Sequence, residues 1–194
     1  MLFSTKAGQP RLYSLLLRLS YNDGVMSEPE PWVRGTLTEV PPVQRAVLHA
    51  LELAREDLQR WCGILNDEQL NARPFGLPPI SFHIRHIARS IDRLLTYAEG
   101  NSLSAAQLFA LRTELDAGAT RDALFQELGS ALDRASERVR AFGPDILGEP
   151  RFVGSKKLPA TVAGLLVHVA DHTLRHVGQG ITTSKIISSQ STQA

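Results

Sequence analysis

Apolar residues recur at intervals of three and four through several long stretches of this chain, and no stretch of any length alternates apolar with polar residues. Val43, Val47, Ala50, Leu51, Ala54, Leu58, Trp61 and Leu65 form one such stripe. Ile84, Ile87, Ile91, Leu94 and Ala98 form a second, and Leu124, Leu128, Leu132, Ala135 and Val139 a third. A fourth long segment runs from Thr161 to about Ile187. One-sided helices must bury their apolar faces against one another, so the pattern predicts an all-α fold built as a four-helix bundle.

Helix punctuation sharpens these spans. Pro41 and Pro42 sit where a first helix tolerates proline, and Asn66 to Pro79 reads as a connector with one helical turn after Asp67. Ser81 is the expected N-cap of the second long helix, which ends at Gly100. A shorter helix is expected from Ser104 to Ala117, closing at Gly118. Thr120 caps the third long helix, which Gly143 and Pro144 stop after Phe142. The loop Asp145 to Pro159 contains Arg151-Phe152-Val153-Gly154 and leaves room for a short extended excursion, and Thr161 caps the last helix. Residues 36–187 thus make the bundle, and 188–194 a polar, frayed tail. Residues 1–35 are irregular, with Pro10, Pro29 and Pro31. They are expected to be poorly ordered, or in part an over-extended start with translation beginning at Met26.

Composition excludes some function classes. The 21 basic and 20 acidic side chains leave a net charge of +1, which gives no field to draw nucleic acid or anionic lipid. Cys62 is the one cysteine, so an internal disulfide and cysteine-based zinc motifs are excluded and a reducing cytoplasm is expected. No apolar run reaches the roughly 18–20 residues that span a bilayer. Leu12 to Leu19 is apolar, but Arg18 interrupts it, so no signal peptide is expected.

Five of the six histidines fall in two clusters, His83/His86 on the second long helix and His168/His172/His176 on the last. Residues four apart lie one turn above another, so the latter three form a ladder on one face. Two imidazoles at that spacing grip one first-row metal, and a third from a facing helix completes a tripod. Neutral imidazole suits zinc, nickel, iron or copper alike. His49 stands alone among apolar residues and reads as a core-edge histidine bonded to backbone. His168-Val-Ala-Asp-His172 has the order of inverted zinc proteases, with the shorter Asp171 in place of glutamate and no other sign of a peptide groove. Cys62, beside Trp61, reads as a buried apolar thiol. Gly178-Gln179-Gly180 reads as close helix packing, and Lys156-Lys157 as a solvated loop.

Ser81-Phe-His-Ile-Arg-His86-Ile-Ala-Arg resembles the second-helix motif of the DinB-like (DinB/YfiT) superfamily. His172-Thr-Leu-Arg-His176-Val-Gly178-Gln179 resembles its last-helix pattern, and the likeness covers roughly Pro41 to Ile187. The resemblance implies an up-up-down-down four-helix bundle, commonly dimeric, with a metal held by His86, His172 and His176; His83 and His168 would be structural or support the ligands. It implies zinc, nickel or iron chemistry on a small molecule, as thiol-dependent S-transfer with a low-molecular-weight thiol or as hydrolysis, and no role in DNA binding. The alternative is a non-catalytic metal- or ligand-binding stress-response protein. An open coordination position favours the enzyme, and closure by a fourth protein ligand favours the alternative.

Overall fold

The computed structural model describes residues 28–191. In chain order the helices are α1 (Pro42–Cys62), α2 (Asp67–Asn71), α3 (Ile80–Ala98), α4 (Ala105–Arg112), α5 (Arg121–Ala141) and α6 (Val162–Ser191). An antiparallel hairpin of β1 (Pro150–Val153) and β2 (Leu158–Thr161) precedes α6, paired from Pro150↔Thr161 to Val153↔Leu158. This hairpin is the extended excursion expected in that loop. None of the described helices is long and apolar enough to cross a membrane.

The four long helices meet along the stripes read from the sequence. Leu58, Ile84, Ile87, Val139 and Leu166 are wholly buried at their common centre. One position shifts: Leu95, not Leu94, continues the α3 stripe, and Leu94 packs at the edge of the core. Thr120 and Thr161 cap as expected, their hydroxyls accepting from the backbone N–H of Ala123 at 3.3 Å and of Gly164 at 3.0 Å. Ser104 makes a reciprocal capping box with Gln107.

Three boundaries differ from expectation. Ser81 does not cap α3. Pro79 precedes the first helical residue with its carbonyl accepting from Phe82 and His83, and Ser81 lies buried inside the first turn. Helix α4 stops at Arg112, with Glu114 buried in the turn beyond it and Gly118 at φ +82° before α5. Helix α6 runs to Ser191, beyond the end expected near Ile187. The expected N-terminal extension falls largely on residues 1–27, outside the described ones. Its last residues pack on the bundle: Pro31–Val33 form a 3-10 turn, and Arg34 donates to Glu52 at 3.0 Å and to Glu56 at 2.6 Å on α1.

Side-chain contacts fix the helix directions. Gln44 early in α1 reaches Phe142 after α5, and Arg55 late in α1 reaches Asp133, so those helices are antiparallel. Arg89 pairs with Glu127 and Glu99 with Arg138, so α3 and α5 are parallel. His83 meets His176 and His86 meets His172, which makes α3 and α6 antiparallel. Gly180 lies against Leu58 and Ser184 bonds the Trp61 carbonyl, so α1 and α6 are parallel. The bundle therefore runs up-down-down-up, a correction to the up-up-down-down order that the resemblance implied. The cause is local. Asn71 donates to the Ala119 carbonyl and Asp67 accepts from Arg121 N–H, which ties α2 to the start of α5. The first connector thus stays at one end of the bundle, and α3 starts where α1 finishes. The crossover falls between α3 and α5, where the segment carrying α4 climbs back along α3.

The core prediction is direct. Ile84→Ala, at a wholly buried position, is expected to cost about 2–5 kcal/mol in urea denaturation. Ile64→Ala, at a site 75% exposed, is expected to stay within about 0.5 kcal/mol of the parent. Equal losses at both positions would contradict this packing.

Candidate metal centre

Antiparallel packing of α3 on α6 brings the two histidine clusters together. His86, His172 and His176 each offer one ring nitrogen, and these atoms lie within 4.8 Å of one another. Nε2 of His86 stands 2.8 Å from Nε2 of His172. The His86 and His176 ring centres are 4.3 Å apart, and those of His172 and His176 4.7 Å. Tetrahedral bonding at about 2.0–2.1 Å needs nitrogens about 3.3 Å apart, inside the observed span, so the donor set fits a divalent ion. Among the described residues, no fourth histidine, cysteine or carboxylate joins the three.

The other two clustered histidines lie just outside. His83 is buried, and its Nδ1 faces Nδ1 of His176 at 3.0 Å. That bond occupies one nitrogen of His176 and leaves Nε2 for an ion. His168 is about half exposed, its Nδ1 3.7 Å from Asp171 Oδ2 and its ring centre 5.3 Å from that of His172. Phe82 closes the N-terminal side, stacked on His86 at 5.3 Å and edge-on to His83 and His176.

The electrostatics favour unprotonated imidazoles. Burial, then the nearby His86, holds His83 down at about 4. Burial again leads for His172, held at about 4, and for His176, held at about 3, with His86 the next cause in each. A nitrogen that resists protonation keeps its lone pair for a metal at neutral pH.

Sequence reasoning missed one residue here. Glu114, in the turn after α4, is buried and accepts from His86 Nδ1 at 2.7 Å through Oε2. Its other oxygen accepts from Arg93 Nη1 at 2.7 Å. Burial alone raises a carboxyl, but the bonds from His86 and Arg93 outweigh it and hold Glu114 below its ordinary value. A signal was present in Arg85, Arg89 and Arg93, spaced four apart on the helix that carries His86. Such a cationic row calls for acceptors on whatever segment covers it.

The remaining candidates fall away from the centre. His49 is buried with Nε2 3.1 Å from the Thr36 hydroxyl, so its partner is a side chain rather than backbone. Cys62 is wholly buried, and burial first of all pushes its thiol up to about 12. Asp171 is paired with Arg175 at 2.6 Å on the outer face of α6. Of the two glycines, Gly180 packs near Leu58 and His83, while Gly178 faces open space. Lys156 and Lys157 lie in the hairpin turn, with Lys157 at φ +50°.

Comparison with known proteins bears on the family and the fold. The model for the DinB superfamily matches residues 50–179. A crystal structure of a conserved protein from Enterococcus faecalis superposes with a TM-score of 0.62 at 16% identity, covering 76% of this chain and 98% of that one; it shows the shared fold. No curated protein matches the chain.

The depressed imidazoles set a pH dependence. Their ordinary value is 6.5 and their folded values are about 4, about 4 and about 3. Below 6.5 the unfolded chain therefore binds protons that the folded apoprotein does not, and stability falls as pH is lowered. The denaturation midpoint of metal-free protein is expected to drop steadily between pH 6.5 and 5, above the range where carboxylates titrate. A flat midpoint across that window would contradict the burial of these rings.

Proposed function

The chain belongs to the DinB superfamily, and we propose that it is a divalent-metal-dependent enzyme acting on a small molecule, with His86, His172 and His176 holding the ion. The observation that carries this reading is the count of ligands. Three imidazoles converge, and His83 and His168 both stay outside the cluster. A fourth protein ligand would have closed the site and favoured a storage or structural role. Three leave a position for a reactant.

An ion bound there supplies Lewis acidity, lowering the pKa of a thiol or water brought to its open position. The protein's own groups shape what reaches it. His83 fixes the plane of the His176 ring from below through their 3.0 Å contact. Phe82 stacks on one side of the His86 ring.

Within this reading we place thiol-dependent S-transfer, using a low-molecular-weight thiol, alongside hydrolysis. Zinc, nickel and iron all suit a site of neutral nitrogen donors. The exposed Leu108, Phe109, Leu111 and Leu115 along the crossover supply an apolar surface that supports a homodimer. A lone, buried thiol is compatible with work in the cytoplasm.

Elemental analysis of untagged protein tests the ligand set. The wild type is expected to carry about one equivalent of divalent metal, consistent with one three-ligand site. His172→Ala and His176→Ala should lose it, and His49→Ala should keep it. Thiol-conjugation and hydrolysis assays on the loaded wild type then separate the two chemistries. Equal metal in all four proteins would overturn the assignment.

A further inference from the structure

The up-down-down-up order forces a crossover between the parallel helices α3 and α5. Helix α3 has 19 residues, so the chain must climb about 28 Å to begin α5 beside the start of α3. It does so along α3 itself, with successive contacts stepping upward. Gln107 donates to Asp92 at 2.6 Å and Thr96 at 2.8 Å. Arg89 then holds the Ala110 carbonyl at 2.8 Å and the Thr113 hydroxyl at 3.0 Å. Arg93 holds Glu114 at 2.7 Å, and Arg85 holds the Asp116 carbonyl.

Three arginines at one-turn spacing therefore bind the stretch 110–116. The carboxylate they deliver is shared: one oxygen stays with Arg93. Glu114 Oε2 turns to Nδ1 of His86, at 2.7 Å. A carboxylate there requires the proton on Nδ1, which leaves the lone pair on Nε2, the nitrogen that faces His172 at 2.8 Å. Burying Glu114 and Arg93 together costs desolvation that a surface pair would avoid, and a turn whose task was only to cover α3 could do so with apolar side chains.

We infer that Glu114 is a positioning residue for the metal: carried in by the arginine-held crossover, it fixes the tautomer and ring orientation of His86 so that Nε2 points at the ion. This rests on the three-histidine reading above. Carboxylates that orient a ligating histidine typically change metal affinity by about 10–100-fold when removed. Arg93 acts one step further out, by holding the carboxylate at the angle that His86 needs.

The test compares zinc affinity, by chelator competition, in wild type, Glu114→Ala and Glu114→Gln. Nitrogen-detected NMR of the His86 ring is recorded on the same samples. Glu114→Ala should bind zinc about 10–100-fold more weakly and lose the fixed Nδ1–H tautomer. Glu114→Gln keeps an acceptor oxygen at the same reach, so it should recover most of the affinity and the tautomer. Should the alanine variant fail to fold, the wild-type tautomer still decides. A wild-type His86 protonated on Nε2, or zinc affinity unmoved in Glu114→Ala while apoprotein stability falls, would make Glu114 merely structural and overturn the inference. Failure of the wild type itself to bind zinc would instead overturn the metal reading on which it stands.

Discussion

The antiparallel contact of α3 with α6 is the constraint from which the rest follows. It sets His86 against His172 at 2.8 Å and His83 against His176 at 3.0 Å, rung facing rung. Slipping either helix by one residue rotates it by about 100° and carries the imidazoles off the shared face. The register is held by apolar packing directly beneath the site. Ile84 and Ile87 on α3, with Val169 and Val177 on α6, are buried at the turns that carry these histidines. His86, His172 and His176 themselves are only partly buried, at the edge where the core meets water. That placement joins a rigid scaffold to an accessible position.

Helix direction connects this contact to the less regular parts of the chain. Because α3 and α5 run the same way, the chain must travel the length of the bundle between them, past His86. The same demand accounts for the short helix α4, for the arginine row on α3, and for a buried carboxylate in what would otherwise be an exposed turn. At the other end of α3, Arg151 of the hairpin donates to the Ala98 carbonyl at 2.7 Å, satisfying a backbone group left open where the helix stops. The irregular segments thus finish what the four long helices leave undone.

Much of this was legible from residue spacing. The 3.6-residue period marked all four long helices, and capping chemistry placed Thr120 and Thr161 correctly. The ladder of His172 and His176 lies on one helix and needs only that helix to be read. What escaped has a common physical character. Serine caps well, which makes Ser81 the expected cap, yet Pro79 already sets the entry angle and supplies the first acceptor. Glu114 falls within the short helix expected from Ser104 to Ala117, where nothing local singles it out. Its partners lie 21 and 28 positions away, and only the course of the crossover brings them near. The helix order is hidden from the sequence for the same reason, since the bonds that tie α2 to the start of α5 join residues far apart in the chain. Periodicity and caps are local; direction and tautomer are not.

The most direct test of the three-histidine centre is a crystal structure of zinc-loaded protein with anomalous data collected on either side of the metal edge. The account predicts one strong anomalous peak between α3 and α6, about 2.0–2.1 Å from a single nitrogen of each of His86, His172 and His176, with no fourth protein ligand. A peak elsewhere on the molecule, one bound by His83 or His168 in place of these residues, or no peak at full zinc occupancy of the buffer would contradict it.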